Sequence, residues 1–78
     1  MDKKTQIDIL MSDYCTRKEA ERHLKDGTII FENPEDYIQI LKDNDCYEEE
    51  TIESIRENPT DVKLIEYHGH EYLIMYVL

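Results

Sequence analysis

With 78 residues, nineteen of them acids and nine bases, the chain is one small domain carrying a formal charge of −10. That field excludes direct binding to nucleic acid or anionic membranes, which needs cations to displace condensed counterions. Two cysteines cannot build a disulfide framework, and Ile9-Leu10-Met11 is too short an apolar run for a secretory leader, so a cytoplasmic location is expected.

In chain order, Ile7, Ile9 and Met11 alternate, but the run is too short to assign to an element. Thr16 followed by Glu19 forms a capping box, Ala20 and Leu24 share a face, and Gly27 suits the position after a helix end. Thr28 to Phe31 is a short β-branched run that predicts a strand. Asn33-Pro34 supplies an N-cap with proline at the first helical position, and Tyr37, Ile38, Ile40 and Leu41 give the second helix its apolar face to about Asn44. A third helix is expected from Glu48 to Glu57, with Ile52 and Ile55 inward and Asn58-Pro59 as its stop.

The last third is β-rich. Val62–Tyr67 and Glu71–Leu78 flank His68-Gly69, a tight hairpin turn. Together these elements predict an α+β fold: a single domain, 1–78, of about three short helices packed on a small antiparallel sheet with a C-terminal β-hairpin. The final segment carries apolar residues on both faces, so both must be covered. A homodimer would cover the second face, with Tyr72, Ile74, Tyr76 and Leu78 at the interface. The alternative is that the N-terminal segment folds across it.

Catalytic signatures are missing from the sequence, and no enzyme activity is expected. Two glycines, Gly27 and Gly69, cannot build a phosphate-binding loop, and no G-x-S-x-G motif occurs. Asp43 to Ser54 departs from a calcium loop at two decisive places: Glu48 stands where glycine is required, and Ser54 replaces the bidentate glutamate. Cys15, Cys46, His23, His68 and His70 lack zinc-ligand spacing, so no metal or cofactor is expected. Asn58-Pro59-Thr60 is closed to glycosylation by its proline.

The charge is segregated. Residues 1–31 hold six acids and six bases, whereas residues 32–61 hold eleven acids against Lys42 and Arg56. On the expected third helix Glu49, Glu53 and Glu57 recur every four residues beside Glu50. Like charges at that spacing weaken a helix by a few tenths of a kcal/mol, about 0.2–0.5 per pair. Four residues rise about 6 Å, close to the separation of successive phosphates on one strand. Glu35, Asp36, Asp43, Asp45, Glu48, Glu49, Glu50, Glu53 and Glu57 are therefore the candidate partner-binding residues, an anionic track that matches a basic DNA-binding surface.

In size, charge and layout the whole chain resembles the small acidic DNA-mimic inhibitors carried by phages and mobile elements. It is most similar to the dimeric host-takeover proteins that block the nucleoid protein HU, with anti-CRISPR and anti-restriction inhibitors as neighbours. The resemblance implies a basic host protein, HU-like, as partner, binding in the bacterial cytoplasm in competition with DNA. A module without mimicry, docking through the apolar C-terminal hairpin, is the alternative from another class.

Overall fold

The computed structural model describes residues 1–44 and 51–77. Helix α1 (Lys3–Met11) begins at Asp2, whose carboxylate accepts from the Thr5 backbone N–H at 2.8 Å. The segment left unassigned above is thus a helix. Its apolar side is set by Ile7 and Leu10, one turn apart, with Ile9 beside them; the alternation of Ile7, Ile9 and Met11 was incidental, and Met11 is exposed.

Helix α2 (Arg17–Lys25) carries the expected reciprocal cap, with Glu19 N donating to Thr16 Oγ1 at 3.2 Å and Thr16 N to Glu19 Oε1 at 3.0 Å. It ends at Gly27, whose φ of 106° lies in the region that favours glycine. Strand β1 (Ile29–Phe31) follows, then helix α3 (Pro34–Asp43), capped by Asn33 with Pro34 in its first turn. Helix α4 (Ile52–Glu57) is shorter than expected. Thr51 is extended and exchanges hydrogen bonds with Ser54, so the helix starts at Ile52 and not at Glu48. The acid run suits a helix N-terminus in sequence, but the hydroxyl pair sets the boundary.

Strands β2 (Val62–Tyr67) and β3 (His70–Met75) form the hairpin. His68 (φ 51°) and Gly69 (φ 76°) both adopt left-handed backbone, which a two-residue turn needs to match the strand twist. The sheet is antiparallel with order β1-β3-β2, pairing Ile30 with Ile74 and Leu64 with Leu73. The fold is therefore α+β as expected, with four helices among the described residues.

β3 lies in the centre, and its neighbours Leu73 and Ile74 point to opposite faces. Both are 0% exposed. Ile74 packs with Ile7, Ile9 and Leu10 of α1 and Ala20 of α2, whereas Leu73 packs with Tyr37 and Ile38 of α3, Ile55 of α4 and Val62. One helix pair covers each face, giving three layers.

This corrects the expected dimer surface. Ile74 is fully buried under α1 and α2 of the same chain and cannot contact a second copy, while Tyr72 and Tyr76 pack against the same cluster and are half-buried. Leu78, the fourth residue assigned to that interface, lies outside the described residues. The alternative of an N-terminal cover is the one observed.

Candidate partner-binding surface

The carboxylates singled out in the sequence and described here occupy a single layer. Glu35, Asp36 and Asp43 lie on α3, Glu53 and Glu57 on α4, and all five are exposed. The apolar sides of these helices are held down by Tyr37, Ile38 and Ile55, which leaves the acids on the outer side. On α3, Glu35, Gln39 and Asp43 follow one another at four-residue steps of about 6 Å. Gln39 Nε2 donates to Asp43 Oδ1 at 3.0 Å, fixing one end of that stripe. Glu53 and Glu57 repeat the step on α4. Asp45, Glu48, Glu49 and Glu50 lie outside the described residues, so the expected three-carboxylate row is represented by Glu53 and Glu57 alone.

The dipoles of these helices treat the acids unequally. Glu35, Asp36 and Glu53 lie in first turns, where negative charge is favoured; Asp43 and Glu57 lie at the opposite ends, where it is not. Of the two cations on this layer, Arg56 is already committed. Its Nη2 reaches both carboxylate oxygens of Glu71 on β3, at 3.0 and 3.1 Å. Lys42 is exposed beside Asp43. Helices α3 and α4 thus carry five acids against two bases, whereas α1 and α2 carry three acids (Asp8, Glu19, Glu21) against six bases. With Asp2, Asp13 and Asp26 at the ends of these helices, residues 1–31 balance at six acids against six bases, so the sheet separates an acidic layer from a charge-balanced one.

A second constellation escaped the sequence reading. Asp13, in the turn between α1 and α2, accepts from Tyr76 Oη at 2.7 Å and pairs with Lys63 Nζ, also at 2.7 Å, through the same oxygen. Lys63 stands 5.4 Å from the Tyr76 ring centre, His23 meets that ring edge-on at 4.9 Å, and Cys15 Sγ lies 4.0 Å from its hydroxyl. Burial and the adjacent Asp13 carboxylate push the Tyr76 hydroxyl far above its ordinary pKa, so it stays a neutral donor. The cluster works as a clamp that fixes the α1–α2 turn to the sheet. These residues lie too far apart in the chain for spacing to reveal them. The one local hint was Lys63, a cation between the apolar Val62 and Leu64 of β2.

Between the clamped Asp13 and Cys15, Tyr14 has φ 63° and is 98% exposed. A left-handed backbone costs an ordinary residue about 1–2 kcal/mol, and among the described contacts no ring partner repays it. Among the described residues, no three of His, Cys, Asp and Glu come together as a metal site. His70 instead bonds the Glu32 carbonyl oxygen at 2.6 Å, and His68 lies against Tyr67. Of the apolar C-terminal hairpin named in the second functional alternative, Leu73 and Ile74 are fully buried, whereas Tyr72, Met75 and Tyr76 are half-buried and Val77 is exposed. No described helix is long and apolar enough to cross a membrane.

Compared with protein-family models, curated proteins and solved structures, the chain finds no match.

Proposed function

We infer that the chain is a DNA mimic: a binding protein without catalytic chemistry that presents its α3–α4 layer to the basic DNA-binding surface of a nucleoid protein of the HU kind. The observation that carries this is the gathering of Glu35, Asp36, Asp43, Glu53 and Glu57 as exposed groups on one layer, with Arg56 withdrawn onto Glu71. Regular helices hold the charges at fixed spacing, so little ordering remains to be done on binding. Complementary charge makes association fast and lowers the affinity as salt rises.

The test is competition for a labelled DNA duplex bound to an HU-like protein, with a restriction endonuclease and a CRISPR effector as parallel targets. The variant carrying Glu35→Gln, Asp36→Asn, Asp43→Asn, Glu53→Gln and Glu57→Gln should compete at least about tenfold more weakly while keeping its fold. Undiminished competition by that variant, or displacement of DNA that is indifferent to salt, would overturn the assignment. Selective displacement from the endonuclease or the CRISPR effector would keep the mimicry and change the target.

A further inference from the structure

We propose that the hairpin end of the sheet selects arginine over lysine, its tyrosine and histidine rings taking guanidinium groups of the basic partner. Cross-strand register sets Tyr67 opposite His70 and Ile65 opposite Tyr72, which puts Tyr67, His70 and Tyr72 on one face of the hairpin. Tyr67 and Tyr72 meet edge to face with ring centres 6.3 Å apart, and His70 meets Tyr72 the same way at 4.6 Å. His68, in the turn, lies 4.2 Å from Tyr67. The four rings form one continuous surface, with both histidines exposed and both tyrosines half-buried. Two residues further along β3 the same face is sealed at Ile74 by α1 and α2, so the rings lie where that cover ends.

The rings are held in place before any partner arrives. Tyr67 Oη donates to Asp8 Oδ2 of α1 at 3.5 Å, and His70 Nε2 donates to the Glu32 carbonyl oxygen at 2.6 Å. Tyr67 and Tyr72 also pack against the buried cluster of Ile7, Ile9, Leu10 and Ile74. Fixed rings lose little freedom when a partner side chain settles on them.

Charge selects the occupant. Asp8 stands at one end of the row of rings and the exposed Glu32 at the other. Glu66 is exposed and lies directly opposite Glu71, a cross-strand like-charge pair that opposes the sheet. Arg56 pairs with Glu71 and not with Glu66. Among the described residues Asp8, Glu32 and Glu66 have no ion pair. A ring surface bracketed by unpaired carboxylates fits a flat cation. Guanidinium stacks on ring faces while its edge donates to carboxylates, whereas ammonium is a compact, strongly hydrated charge. The patch also adjoins the α3–α4 layer: Glu32 leads into Asn33, the cap of α3, and Arg56 ties α4 to β3. The selection rests on the reading of that layer as the surface for a basic protein, and it specifies the cation that protein brings.

Two peptides of equal charge test it, four Gly-Arg repeats and four Gly-Lys repeats, titrated into the full chain and followed by calorimetry and by NMR of the rings. The arginine peptide should bind at least about threefold more tightly and shift the ring signals of Tyr67, His68, His70 and Tyr72. Tyr72→Leu combined with His70→Gln should bring the two affinities together with an unchanged circular dichroism spectrum. Should that variant fold poorly, the ring shifts of the unaltered chain decide the matter. The variant neutralised at Glu35, Asp36, Asp43, Glu53 and Glu57 should bind both peptides more weakly yet keep the preference, which separates this selection from the acidic layer's competition with DNA. Equal affinities for the two peptides, a preference that survives Tyr72→Leu with His70→Gln or is lost in the five-acid variant, or shifts that spare the rings would each overturn the proposal.

Discussion

The two helical layers lie on the same three strands yet are built to different rules. On the α1–α2 side, acids are matched by bases, both helices have strong N-caps, and a clamp of Asp13, Lys63 and Tyr76 ties the turn to the sheet. On the α3–α4 side, five acids face two bases and the clearest ion pair, Arg56–Glu71, is surface-exposed. One layer spends its polar groups on holding itself together; the other leaves them facing outward. Folding explains the first arrangement and only part of the second: Glu35, Asp36 and Glu53 suit first turns, but Asp43 and Glu57 lie at the unfavourable helix ends and Glu53–Glu57 is a like-charge pair that opposes its helix.

The comparison is sharpest in the core. If both layers are true cover, Leu73→Ala and Ile74→Ala should each destabilise by about 2–5 kcal/mol, measured by urea unfolding of the single substitutions. A loss of under about 1 kcal/mol at Ile74 would mean that α1 and α2 do not seal their face. That substitution comes first because it tests whether the chain's own N-terminal helices cover that face.

Next come the two ion pairs. Asp13→Ala strands the Lys63 ammonium and the Tyr76 hydroxyl where their side chains are largely covered, and should cost about 1–3 kcal/mol. Glu71→Gln on the other layer breaks a pair whose side chains are 52% and 40% exposed, and should cost no more than about 1 kcal/mol. Equal losses in thermal unfolding would erase the distinction drawn between a clamp and a surface contact.

The smallest effect concerns acid. Hydrogen bonds from Thr5 hold the Asp2 carboxyl below its ordinary value, and the backbone N–H of Thr16 does the same for Glu19. A carboxylate lowered in the folded state contributes stability that is present above its unfolded pKa and lost as pH falls through the folded one. Melting temperature should therefore fall on acidification from the ordinary values of 3.8 and 4.5 downward. Asp2→Asn with Glu19→Gln should flatten that fall, and an unaltered acid limb would remove the caps from the account.

What was legible in the sequence was local. Thr16 with Glu19, Asn33-Pro34 and His68-Gly69 declare two helix starts and a hairpin within four residues each, and the structure has all three. Helix α1 was not legible, because Ile7, Ile9 and Met11 fit a strand period as readily as Ile7 and Leu10 fit a helical one. Thr51 and Ser54 form the same kind of reciprocal cap as Thr16 and Glu19, but the preceding acids masked it by suiting a helix N-terminus equally well. Apolar residues on both sides of β3 correctly demanded two covers; they could not say that one would come from the same chain. The Asp13 clamp lay beyond any spacing argument, since its members meet only after the sheet has formed.

The strand order carries a last consequence, for the time the chain spends on the ribosome. β1 and β2 pair only with β3, and β3 follows both in the sequence. No ladder of this sheet can form until His70–Met75 has cleared the exit tunnel. Until then the nascent chain is limited to isolated helical turns, which short segments cannot sustain alone in water. Synthesis should yield a late, all-at-once collapse, with protease protection appearing abruptly once that strand emerges.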